Sequence, residues 1–141
     1  MLTWTWEIYD SYLSILIDKI MKYNSNVWKA KIKDIYGIPR GGSILANRIS
    51  YYTNIPVIQH KEYIDFETLL VDDILDSGNT IKQFMTQLYF LPKIACLVLN
   101  KSSSYTPDVY SFYNYNNEWI RFPYEPMSGD TLSKVQQRED K

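Results

Sequence analysis

A single cysteine, Cys96, and a single histidine, His60, are all that 141 residues offer of the types that build disulfide frameworks and soft-metal cages. A disulfide needs a pair and a Cys/His site needs several donors, so both are excluded. An excess of charge is missing too: 15 Lys plus Arg stand against 16 Asp plus Glu, a formal net charge of -1. Such a chain has no general attraction for nucleic acid or an anionic membrane, and any phosphate chemistry must be local. No apolar run approaches membrane-spanning length, and "MLTWTWEIYD" has neither a basic n-region nor an apolar h-region. The expectation is a cytoplasmic protein with no nucleic-acid or membrane partner.

What is present is ordinary in bulk and unusual in detail. Hydrophobic residues at 45% and charged residues at 22% fit one folded domain of this length. Aromatics are abundant, with 13 Tyr and 4 Trp, many of them in the last third. "TWEIYDSYLSILIDKIMKY" places Ile8, Tyr12, Ile15, Leu16 and Ile20 at helical spacing, with Thr5 as N-cap and Glu7 in the first turn. "IKDIYGI" reads as a strand, "SILANRISYYT" as a helix turned inward by Ile44, Leu45, Ile49 and Tyr52, and "IPVIQ" as a second strand. "TLLVDDI" is a third strand, "TIKQFMTQLYFL" a third helix and "KIACLVLN" a fourth strand. Strands alternating with helices predict an α/β domain, with a central mainly parallel sheet flanked by helices on both faces. Beyond Asn100 a loop-rich aromatic segment should form a small C-terminal hood at the sheet edge. The domain is expected over residues 1–125, with a polar, mobile tail over 126–141. Met21, Met85 and Cys96 read as core.

Two βα loops are chemically unusual, and in an open parallel sheet both must open on the carboxyl edge, where ligands bind. "GIPRGGS" supplies Arg40 with Gly41 and Gly42, a cation beside backbone that an anion can approach closely. "LLVDDILDSGNT", Leu69 to Thr80, ends a buried strand on Asp72 and Asp73, adds Asp76, and opens a helix with Ser77, Gly78, Asn79 and Thr80. Hydroxyls and unpaired N–H groups at such a helix start suit phosphate. Carboxylates paired at a strand end either hold a divalent cation or accept hydrogen bonds from vicinal hydroxyls. Phosphate, diol and metal-bound polyphosphate in one row describe an activated sugar phosphate.

These residues resemble a known family. "LLVDDILDSGNT" is similar to the phosphoribosyl-pyrophosphate motif of type I phosphoribosyltransferases: a hydrophobic strand, two acidic residues, two linkers, then Asp-Ser/Thr-Gly-x-Thr. "DIYGIPRGGSILANRI" resembles the pyrophosphate-loop segment of purine members, and "VLNKSSSYTPDVYSFYNYNNEWIRFPYEP" their base-binding end. The nearest branch is the xanthine-guanine (hypoxanthine) one, matched over residues 4–126. The resemblance implies that Asp72 and Asp73 hold the ribose hydroxyls with Mg²⁺ nearby, Asp73 being the metal-side carboxylate. It implies that Ser77, Gly78, Asn79 and Thr80 cradle the 5′-phosphate and that Pro39, Arg40 and Gly41 bind pyrophosphate. Lys101 would donate to the purine 6-oxo group, Trp119 would stack on the ring, and Ile120 would offer its backbone. Glu125 matches an acidic position near metal-bound water. Asp76, beside the phosphate, would be the general base.

The expected activity is therefore transfer of the phosphoribosyl group from phosphoribosyl pyrophosphate to a 6-oxo purine. One departure stands out: only "QHKEYIDFE", Gln59 to Glu67, separates the second and third strands, where the family carries a long closing loop. His60 and Lys61 are the residues there that could replace it in part. The weakened lid keeps an alternative open, a regulatory protein that retains the sugar-phosphate pocket without efficient turnover. A tyrosine-rich interaction module is a third class. The surface aromatics make a homo-oligomer plausible.

Overall fold

The computed structural model describes residues 1–26 and 31–126. The elements in chain order are β1 (Leu2–Thr3), α1 (Trp6–Asn24), β2 (Asp34–Gly37), α2 (Gly41–Thr53), β3 (Thr68–Leu75), α3 (Asn79–Met85), β4 (Lys93–Asn100), β5 (Val109–Asn114) and β6 (Ile120–Arg121), with a 3-10 turn at Lys61–Tyr63. The strands β2-β3-β4-β5 form one sheet in that order, and every neighbouring pair is parallel. The expected α/β architecture is what the chain adopts. The tail expected over 126–141 lies, from residue 127 onward, outside the described residues.

Burial on both faces explains the continuous apolar runs of the central strands, for every residue of β3 is buried. On one face Leu13, Leu16 and Ile20 of α1 and Leu45, Ala46 and Ile49 of α2 pack with Leu69, Val71, Ala95 and Leu97. On the other, Ile81 of α3 and the loop residue Ile64 pack with Leu70, Ile94 and Cys96. Among the described residues no helix is long and apolar enough to cross a membrane.

Several local expectations are corrected. Thr5 does cap α1, its Oγ1 accepting from Ile8 N at 3.2 Å, but the buried stripe is Tyr9, Leu13, Leu16 and Ile20. Ile8 and Ile15 are 38% and 44% exposed. Tyr9 leads the stripe because its ring meets Phe122 and Tyr124 of the hood edge-on, a long-range contact that turns the helix. Met21 lies outside the core for the same reason, at 44% exposure. Tyr52 is exposed as well. The 13 residues of α2 extend about 20 Å, whereas the four of β2 extend about 13 Å, so the helix end overruns its strand.

"IPVIQ" makes one parallel bridge, Val57 to Ile35, instead of a strand. Pro56 contributes only its carbonyl, to Ile35 N at 2.9 Å, since proline has no N–H to extend the ladder. The third helix stops at Met85 rather than reaching Leu91. Pro92 disfavours helix at the residue before it, and Tyr89, Phe90 and Leu91 emerge exposed. The hood forms as expected: Phe122 is buried, stacked on Tyr124 and edge-on to Trp4.

Candidate active site

Because β2 to β5 run parallel, their carboxyl ends share one edge. That edge gathers the Pro39–Gly42 loop after β2, the acidic end of β3 with the turn after it, Lys101 after β4, and the 115–120 segment after β5.

The first loop is built by close backbone packing. A Cβ at Gly37 would lie 2.2 Å from Gly42 O, and one at Gly41 would lie 1.9 Å from Asp73 Oδ2. Only glycine lets the start of α2 lie so close to the end of β3. The Pro39–Arg40 peptide is cis, and both residues are exposed at the head of α2. The N–H groups of that first turn suit an anion.

Asp72 and Asp73 are 1% and 3% exposed. Asp72 Oδ1 accepts from Asp73 N at 2.9 Å, and Asp73 Oδ1 from Ile74 N at 2.8 Å. Asp73 Oδ2 accepts the Tyr124 hydroxyl at 2.6 Å. The field of the pair reaches its neighbours. Burial, and then the charge of Asp73, push the Tyr9 hydroxyl well above its ordinary range, while burial followed by Asp72 raises the Cys96 thiol.

The turn after β3 depends on Gly78, whose φ of 88° disfavours side chains. Asn79 N donates to Ser77 Oγ at 3.2 Å, and Thr80 lies half-buried at the start of α3. The "KSSSY" segment braces this turn in a way the sequence did not signal. Ser104 donates to Ser77 O through both N and Oγ at 2.9 Å, and Ser102 Oγ donates to Asp76 O at 3.1 Å. Lys82 Nζ donates to Ser104 Oγ at 2.6 Å.

Asp76, the expected base, accepts from Asn100 Nδ2 at 2.8 Å. Lys101 lies close by in the chain, its ammonium 4.1 Å from the centroid of the Tyr115 ring and its N donating to Asn114 O. Trp119 is half-buried and its carbonyl accepts from Leu2 N at 2.7 Å. Arg121 O accepts likewise from Trp4 N, so β1 takes alternate carbonyls of β6 and that of Ile120 faces the opposite edge. Glu125 closes a turn on Phe122.

No protein-family model matches this sequence, and no curated protein does. Solved structures do match. A purine phosphoribosyltransferase from Pyrococcus horikoshii Ot3 superposes with TM-score 0.70 at 25% identity, over 90% of this chain and 95% of that one. The xanthine-guanine-hypoxanthine phosphoribosyltransferase of Helicobacter pylori gives 0.70 at 18% identity, over 96% and 98%. A hypothetical protein from Neisseria gonorrhoeae with bound ppGpp gives 0.69 at 16%, over 98% and 97%. This chain has the type I phosphoribosyltransferase fold.

The segment between β2's neighbour Val57 and β3 is short and packs against the body of the domain. Its own Ile64 is buried, and Lys61 Nζ donates to Gln87 Oε1 at 2.7 Å beyond the end of α3. His60 is exposed beside the Tyr63 ring. Among the described residues no three His, Cys, Asp or Glu gather as a metal cage. A cation here fits only if phosphate, sugar and water oxygens complete its shell, a pattern suited to Mg²⁺.

Proposed function

We propose that the protein transfers the 5-phosphoribosyl group from phosphoribosyl pyrophosphate to a 6-oxo purine, giving a purine nucleoside monophosphate and pyrophosphate. The observation that carries this reading is the convergence of the Pro39–Gly42 loop, the Asp72–Thr80 segment and the Lys101/Trp119 hood on one sheet edge. Likeness to purine phosphoribosyltransferases supports it.

Departure of pyrophosphate from C1′ builds positive charge on the ribose ring, so the site needs anions around the sugar and a clamp on the leaving group. Asp72 and Asp73 are the anions. Arg40 and the α2 amides at Gly41 are the clamp, and Ser77 to Thr80 hold the 5′-phosphate. Asp76 takes the imidazole proton of the purine. Lys101 donates to the 6-oxo group, Trp119 stacks on the base and the Ile120 carbonyl meets its edge. Mg²⁺, with Asp73 as its protein carboxylate, would neutralise the pyrophosphate. The test is to incubate the protein with phosphoribosyl pyrophosphate, Mg²⁺ and mixed nucleobases and identify any nucleotide by mass spectrometry.

A second reading has its own support: the short, packed 59–67 segment, and a structural relative that binds ppGpp. A regulatory protein would bind guanosine monophosphate or ppGpp and form no product in that assay.

A further inference from the structure

Asn100 and Asn114 are among the most buried polar side chains, at 5% and 2% exposure, and although both lie in the segment that resembles a base-binding end, the resemblance gives neither a role. They are register partners at the ends of β4 and β5, and Leu75 pairs with Leu99, so Asp76, Asn100 and Asn114 lie in one row across three strands. The row is bonded throughout. Asn100 Nδ2 donates to Asp76 Oδ1, Asn114 Nδ2 donates to Asn100 Oδ1, and Asn114 Nδ2 also donates to Glu118 O, each at 2.8 Å.

The direction of this row is fixed chemically. An ionised carboxylate can only accept, so Asn100 must turn its NH₂ to Asp76 and its oxygen to Asn114, which must then donate. The second proton of Asn114 Nδ2 reaches the carbonyl just before Trp119. Apolar side chains would fill these positions at lower cost, because buried amides need every bond satisfied. Asp76 Oδ1 is thereby anchored, and no hydrogen bond among the described residues engages Oδ2.

We propose that Asn100 and Asn114 are positioning residues for Asp76: they lock one carboxylate oxygen so that the other presents its lone pair to the purine proton, and they tie that orientation to the hood carrying Trp119. The inference rests on the transferase reading, with Asp76 as base. Neither asparagine touches substrate.

The test is a kinetic double-mutant cycle. Asn114→Ala, two hydrogen bonds away from Asp76, should lower kcat about tenfold with KM for phosphoribosyl pyrophosphate changed less than twofold, and Asn114→Ser should recover part of the loss. In an Asp76→Asn background the same change should cost nothing further. An equal loss in both backgrounds, as a general folding defect would give, overturns the proposal. An inactive wild-type protein instead defeats the transferase reading. The row is then read directly from asparagine side-chain amide signals in ¹⁵N NMR: Asp76→Ala should shift those of Asn100 and Asn114, and unmoved signals overturn the relay.

Discussion

The hydroxyl of Tyr124 donates to Asp73 Oδ2 at 2.6 Å, joining the aromatic hood to the acidic end of the central strand across 51 residues of chain. Asp73 is 3% exposed, so it depends on protein donors in place of water. The same carboxylate lies against Gly41 at the head of α2, where the partial positive charge of a helix start favours an anion. Hood, acidic motif and the Pro39–Gly42 loop therefore meet at one side chain.

Tyr124→Phe keeps the ring stacked on Phe122 and removes only the hydroxyl. A hydrogen bond to a charged, buried acceptor is worth about 1.5–3 kcal/mol. Chemical denaturation should show a loss of that size, and an unchanged midpoint would mean that Asp73 does not rely on this donor.

Two glycine substitutions should fail differently. A Cβ at Gly41 meets the side chain of Asp73 and must push it off its Tyr124 hydrogen bond, whereas one at Gly37 meets the backbone of Gly42, which cannot move without shifting α2. Gly41→Ala is expected to fold and to bind phosphoribosyl pyrophosphate at least about tenfold more weakly by calorimetry, a loss of about 1.4 kcal/mol. Gly37→Ala should lose about 1–3 kcal/mol of stability as an overpacked site. Unchanged affinity for phosphoribosyl pyrophosphate in Gly41→Ala would contradict the distinction.

The sequence carried the alternation of strands and helices because each central strand is buried on both faces and each helix keeps its 3.6-residue period. It also carried the acidic motif and the PRGG loop, whose chemistry is local. What it hid depends on distant partners. Nothing near Tyr9 announces that Phe122 and Tyr124 will set the buried face of α1, and a two-residue pair such as β1 with β6 has no period to detect. Asn100 and Asn114 look like ordinary polar strand ends until register sets them side by side. Aligning the ends of the candidate strands as a parallel sheet would have been the one signal able to pair them.

Asp65 gives a pH test outside the site. Its side chain pairs with Lys33 and also accepts from Glu67 N at 2.9 Å. The Lys33 hydrogen bond holds its carboxyl below the ordinary value of 3.8. A group whose folded pKa is depressed contributes stability above its unfolded pKa and loses it as pH falls through the folded one. Asp65→Asn should therefore melt below wild type at pH 7, and the gap should close as pH drops below 3.8. A gap of constant size at pH 3 would assign the effect to packing instead of charge.

Asp76→Asn separates enzyme from binder. The amide oxygen of Asn can still accept from Asn100 Nδ2, so the row across the strands survives while the base is lost. Turnover should fall by about 10²–10⁴ with affinity for phosphoribosyl pyrophosphate little changed. A variant that keeps its rate would place the base elsewhere.

Base choice tests the hood. Lys101 offers donors only, and its ammonium rests over the Tyr115 ring, an attraction of about 0.5–1 kcal/mol at an exposed site. Moving onto a 6-oxo group costs no more than that and gains a charge-assisted hydrogen bond. Adenine presents an amino group at the same place, so two donors would face each other in the base site. A site built on such a bond rejects an analogue lacking the acceptor by as much as ~10⁴-fold, while stacking on Trp119 adds about 1–3 kcal/mol for any purine. On the proposed function, stacking would set affinity and Lys101 identity, since the fold itself chooses no base. In a competition assay, guanine, hypoxanthine or xanthine should be consumed while adenine and uracil persist, and Lys101→Met should narrow the difference. Adenine consumed at the same rate as the 6-oxo purines would remove Lys101 from the base site and with it the 6-oxo assignment.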